Sequence, residues 1–262
     1  MSFPPIHVHE PTASHTHTVI LLHGRGSSGP EFCSDLFELH TKDGLTLPQA
    51  LPHVKWVFPS AKERYSTVFQ EEINEWFDIY SLADTAARED LQVEGLRECV
   101  ILVTELVEEE SKLVGEQNIV LGGISQGLAT VMMTLFSYEW RLAGVVGISG
   151  WCPFQKHFEG VLAEKKGWNG IREFCKTCLG IKESSLRSGT ITTPEGLSVF
   201  LGHGRDDAYV DITLGHGIRK LLMDAGAKVE WKDYEGAEEE GHWIEEPEEI
   251  DDIVAFMHHK FS

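Results

Sequence analysis

Residues 118–138 read NIVLGGISQGLATVMMTLFSY. An apolar run of strand length breaks on glycines, passes through one serine and continues as an apolar stretch of helical length. That pattern predicts a strand, a sharp turn and a helix. Gly123 and Gly127, two before and two after Ser125, remove side chains that would clash in such a turn, and they leave the hydroxyl standing at the helix N-terminus. In a chain with 25 glycines the five-residue spacing alone is a weak signal. The rest of the sequence must decide whether Ser125 is a nucleophile.

Outward from this stretch the same alternation repeats. Strand candidates are HTVILLHG (17–24), VKWVFPS (54–60), NIVLGG (118–123), LAGVVGIS (142–149), LSVFLGHG (197–204) and KVEWKDY (228–234). Helix candidates occupy about 85–115, 126–138, 212–226 and 247–260. Most of the strands are apolar on both faces, as in a central parallel sheet covered by helices on each side. KVEWKDY alternates and reads as an edge. The expected fold class is α/β, a doubly wound, mostly parallel sheet in a single domain over 1–262, with 1–16 irregular. One segment, about 153–193, is helical without a strand. It falls between the strand after the turn's helix and the next strand, and is expected to be a cap-like insertion covering the acyl pocket.

Composition narrows the partners. A formal net charge of -20 disfavours nucleic acid and an anionic membrane surface. No run approaches the length of a membrane span, so no stable membrane insertion is expected. The opening MSFPPIHVHEP has neither a basic start nor an apolar core, which makes the expected location cytoplasmic. The five cysteines are odd in number and scattered, so reduced thiols are expected, Cys175 and Cys178 included.

In a parallel sheet, ligands collect beyond the carboxyl ends of the strands. Four such positions carry chemistry: His23-Gly24-Arg25-Gly26, the turn at Ser125, Gly202-His203-Gly204-Arg205-Asp206-Asp207, and Gly241-His242-Trp243. Hydrolysis of an ester or thioester by serine needs a histidine base, a carboxylate to orient it and donors for the tetrahedral oxyanion. The order serine, aspartate, histidine is that of an α/β-hydrolase fold. His242 follows the last strand candidate, whereas His203, His216, His258 and His259 lack that placement. The backbone N–H of Gln126 points where an oxyanion would form, and that of Arg25 is the second candidate. The acidic run Glu238, Glu239, Glu240 lies just before His242, separated from it by Gly241.

Taken in order, LLHGRGSSG, NEWFDIYSL, IVLGGISQGLA, LAGVVGISGW, FLGHGRDDAYV and YEG followed by GHW resemble the motifs of the acyl-protein thioesterase and carboxylesterase (phospholipase/carboxylesterase) family of serine hydrolases. The resemblance spans roughly 17–260. It implies an α/β-hydrolase fold, Ser125 as nucleophile, Asp207 as the orienting acid with Asp206 as the fallback, His242 as base, and Arg25 and Gln126 as oxyanion donors. It implies no cofactor and no metal, and substrates that are S-acylated proteins, lysolipids or small esters. Leu128 replaces a small residue of the family and Ala208 a proline, so Leu128, with Trp76 and Trp151, is a candidate for shaping the pocket. Three rival readings are a non-catalytic binding protein on the same fold, a metal site at His7, His9, His15 and His17, and a dienelactone-hydrolase-like enzyme, which would carry cysteine at position 125.

Overall fold

Along each central strand, side chains alternate between two faces, and the apolar residues sort accordingly into two cores. In β2 (His17–Leu22), Ile20 and Leu22 enter one core while Val19 and Leu21 enter the other. The computed structural model of the chain describes residues 2–139, 141–181 and 196–261. Within them the chain runs β1 (His7–His9), β2, α1 (Gly29–Glu38), α2 (Leu47–Ala50), β3 (Val54–Phe58), β4 (Lys62–Ser66), β5 (Glu71–Glu75), α3 (Gln92–Val114), β6 (Ile119–Ile124), α4 (Gln126–Ser137), β7 (Gly144–Ile148), α5 (Gln155–Ala163), α6 (Gly167–Leu179), β8 (Ser198–Gly204), α7 (Ile212–Asp224), β9 (Lys228–Tyr234), α8 (Glu238–Gly241) and α9 (Glu248–Lys260).

Seven strands form one sheet in the order β1-β3-β2-β6-β7-β8-β9, parallel throughout except for β1, which pairs antiparallel with β3. All six strand candidates are present, and KVEWKDY is the edge strand β9. One core lies under α1, α2 and α9, the other under α3 to α7. This is the doubly wound α/β architecture expected from the alternation. From β2 the chain first adds β3 on one side and later β6 on the other, so a crevice opens at the carboxyl ends of β2 and β6. Arg25 follows one of these strands and Ser125 the other.

Three differences from the sequence reading have physical causes. Residues 1–16 are not wholly irregular: His7–His9 pairs along the exposed side of β3, a strand too short to carry a periodic signal. The antiparallel hairpin β4–β5 carries no apolar strand pattern, because KERYS and EEINE stand off the sheet and are largely charged. Helix α3 begins at Gln92 rather than near 85, after Arg88 takes a left-handed conformation (φ 54°) that stops helical propagation backwards.

The described part of the 153–193 insertion does not cap the cleft. Helix α4 is buried along its whole length, so its apolar face away from the sheet needs cover too. Helices α5 and α6 supply it: Phe158 and Trp168 meet Phe136 of α4 at ring-centroid distances of 4.9 and 5.1 Å. Inside α4 the hydroxyls of Thr130, Thr134 and Ser137 donate to carbonyls four residues back, which removes the cost of burying them. Residues 182–193 of the insertion lie outside the described residues.

Candidate active site

Ser125 occupies a backbone conformation that side chains rarely adopt, φ 57° and ψ -122°, between β6 and α4. Such a position costs about 1–3 kcal/mol and persists only where its surroundings enforce it. Here the enforcement is steric. A Cβ on Gly127 would lie 2.2 Å from the carbonyl oxygen of Leu22, and one on Gly123 would lie 2.7 Å from the carbonyl carbon of Gly127. The elbow is pressed onto the end of β2, and the Ser125 N–H donates to Ile148 O at 2.9 Å, which ties it to β7. The first-turn N–H of Gln126 has no acceptor within its own helix, as at any helix start.

His242 and Asp207 meet from different loops. His242 Nδ1 lies 2.8 Å from Asp207 Oδ2, and the carboxylate is wholly buried while the imidazole is partly exposed. Asp207 Oδ1 accepts from the N–H groups of Tyr209 (2.9 Å) and Val210 (2.8 Å). Burial would by itself raise this carboxyl's pKa. The hydrogen bonds from His203, His242 and the Val210 N–H outweigh it and hold the group well below the usual carboxylate range. Asp206, the fallback, points elsewhere: its Oδ2 accepts from Gly236 N–H at 3.0 Å and braces the turn after β9. The acidic run before His242 contributes two backbone acceptors. Glu239 O accepts from His242 N–H (3.0 Å) and Glu240 O from Ala208 N–H (3.1 Å), with Glu239 and Glu240 both at positive φ. These bonds clamp the loop of Asp207 against the loop of His242.

The loop after β2 is held from three directions. His23 is buried and neutral, its pKa pushed down to about 4 by burial; its Nδ1–H donates to Gly24 O (2.6 Å) and its Nε2 accepts from Ala61 N–H (2.9 Å). Trp76 Nε1–H donates to His23 O (2.8 Å), and Gly26 N–H donates to Asn74 O (2.7 Å). The Gln126 side chain completes the frame, accepting from Trp76 N–H (2.9 Å) and donating to Phe77 O (2.7 Å). The residue considered for its backbone N–H is therefore also the clamp between elbow and hairpin base.

Ser125 and His242 line one cleft of about 790 Å³, with Arg25 at its side. Its apolar wall is Phe32, Ile73, Leu82 and Ile124, and Phe69 of the β4–β5 loop stands over it with the Arg25 guanidinium 4.7 Å from its ring centroid. Among the described residues the hairpin, rather than helices α5 and α6, shapes this mouth. The pocket assignment of Trp76, Leu128 and Trp151 is likewise corrected: all three are core residues, 0%, 2% and 2% exposed. Leu128 fills space left by glycines, since a Cβ on Gly147 would approach its side chain to 2.6 Å and one on Gly150 to 2.9 Å. The N-terminal histidines pack on aromatic rings, His9 on Phe37 and His17 on Phe261, and among the described residues no group of His, Cys, Asp or Glu is placed to hold a metal. All five thiols are free.

The description Phospholipase/Carboxylesterase belongs to the family model that matches residues 5–166 of the chain. The chain belongs to this family. Acyl-protein thioesterase 1 of Gibberella zeae is 30% identical over 94% of this chain and 92% of its own length, and its namesake in Yarrowia lipolytica is 29% identical over 94% and 92%. The fold agrees with that of acyl-protein thioesterase 2 from Zea mays, at a TM-score of 0.73 and 23% identity over 99% of this chain and 100% of the maize chain. As a family member the chain is a hydrolase of ester or thioester bonds on the α/β-hydrolase fold.

Proposed function

We propose that the chain is a serine hydrolase that transfers acyl groups from thioesters or carboxylic esters to water through an acyl-enzyme on Ser125. His242 takes the Ser125 proton as the hydroxyl attacks the acyl carbon, then returns it to the departing thiol or alcohol; a water repeats the sequence to free the acid. Asp207 holds the imidazole with Nδ1 protonated, leaving Nε2 as the base. The N–H groups of Gln126 and Arg25 receive the oxyanion. The observation that carries this reading is the strained Ser125 elbow opening on the same cleft as an imidazole bonded at 2.8 Å to a buried carboxylate. A non-catalytic binding protein would have no need of that strain.

The apolar wall of the cleft suits an acyl chain, and the thioesterase relatives favour S-acylated protein as substrate; lysolipids and small esters use the same chemistry. No helix of the described residues is long and apolar enough to cross a membrane. We read the chain as one domain acting in the cytoplasm, a placement supported by its five free thiols. Labelling with a fluorophosphonate probe tests the nucleophile: wild type reacts and Ser125→Ala does not. Labelling retained in the variant overturns the assignment. A series of esters and thioesters of graded chain length then defines the acyl preference.

A further inference from the structure

Four carboxylates, Glu31, Asp35, Glu71 and Glu239, line the cleft in front of Ser125, one set from α1, one from β5 and one from α8. All four are exposed, and among the described residues none is ion-paired. Besides the proposed base His242, Arg25 is the one basic side chain of the lining among the described residues. It lies over the Phe69 ring, facing Asp78 and the buried Glu75, whose pKa is pushed up to about 8 by burial and Asp78 against the pull of Arg25 and Arg64. The rim adds the rings of Tyr209 and Trp243, whose faces attract cations. With a net charge of -20 behind it, the negative potential of this cleft has no large opposing field.

We propose that the cleft selects acyl substrates whose thiol or alcohol portion is positively charged and discriminates against anionic ones. The inference rests on the reading of Ser125 as nucleophile. With the acyl carbon at Ser125 and the acyl chain along the apolar wall, the leaving portion is the part that faces the carboxylates and rings. In the reaction the Ser125 oxygen bonds to the acyl carbon as the C–S or C–O bond breaks, the leaving group departs with a proton from His242, and water regenerates the hydroxyl. A basic peptide around an acylated cysteine fits this surface; a thiol bearing carboxylate or phosphate is repelled.

Three octanoyl thioesters of similar size test it: those of thiocholine (cationic), N-acetylcysteamine (neutral) and 3-mercaptopropionate (anionic). Thiol release gives kcat/KM, and each value is divided by that thioester's uncatalysed hydrolysis rate. At low salt the cationic substrate is expected to exceed the anionic one by about tenfold or more, the range of electrostatic steering. Raising the salt to about 0.5 M should compress the ratio, because screening shortens the reach of the carboxylates. The variant E31Q/D35N/E71Q/E239Q should compress it too, and the salt arm on wild type decides the matter even if that variant folds poorly. Equal rates, or a ratio insensitive to salt, overturn charge selection while Ser125-dependent turnover leaves the nucleophile standing. Turnover undiminished in Ser125→Ala, or none on any of the three, overturns the nucleophile and this proposal with it.

Discussion

His203 Nε2 lies 3.3 Å from Asp207 Oδ2, on the same carboxylate oxygen that receives His242. The same nitrogen is 2.8 Å from Val210 O, so both of its neighbours are acceptors and it must carry the proton. Val210 in turn donates its N–H to Asp207 Oδ1, which closes a buried ring of bonds around the aspartate. His203 is thus a positioning residue for the proposed acid. His203→Leu is expected to lower kcat roughly tenfold or more by freeing the Asp207 rotamer, whereas Asp207→Asn, which permits the wrong imidazole tautomer, should cost about 10⁴-fold. His203→Gln, whose amide reaches the Nε2 position, should recover part of the loss in steady-state assays. Equal losses in the Gln and Leu variants would show that packing alone is at work.

Leu128 separates packing from specificity. Its side chain is buried between the glycines of β7 and the turn beyond it, so Leu128→Ala should destabilise the fold by about 2–4 kcal/mol in urea unfolding. Its preference across acyl chain lengths should not move. A changed preference would return Leu128 to the pocket.

Gln126 joins stability to catalysis. Replacing its side chain in Gln126→Leu strands the Trp76 N–H and the Phe77 carbonyl in a buried site, at a cost of about 1–3 kcal/mol each. Because Trp76 also holds the carbonyl of His23, the loop carrying Arg25 loosens as well. A fall in kcat larger than in Leu128→Ala, at matched loss of stability, is the expected signature.

Glu249 gives stability a pH dependence of definite sign. It is buried at 2% exposure with Oε1 unpartnered, its Oε2 accepts from Glu245 N–H, and burial pushes its pKa up to about 8. A folded-state value above the unfolded one means that the contribution is complete at acid pH, below the unfolded carboxyl's pKa, and is lost as pH rises towards 8. Glu249→Gln should therefore match wild type near pH 5 and exceed it at pH 8.5 by on the order of 2 kcal/mol in thermal or denaturant unfolding. A constant difference across that range would mean that the carboxyl does not titrate there.

Much of this arrangement was legible in one dimension because its causes are local. A strand buried on both faces must be apolar throughout, so the runs at 17–24, 54–60, 118–123, 142–149 and 197–204 declared themselves, while the alternation at 228–234 marked an edge. The elbow needs glycine on both sides of Ser125 wherever it occurs. The hairpin β4–β5 left no such trace, because its charged residues answer to solvent and to the cleft rather than to a core.

By itself the sequence determined the alternation of strands and helices, the elbow, and the order in which serine, aspartate and histidine follow the strands, since each depends on neighbours a few residues apart. Only the tertiary structure decided which aspartate meets His242, that His203 supports it, that Leu128 and Trp151 are core, and that helices α5 and α6 cover α4 instead of the cleft. Those outcomes depend on which surfaces remain unburied once the sheet is wound. That is a property of the packed chain, in which the apolar outer face of α4 is covered by α5 and α6 while the hairpin shapes the mouth.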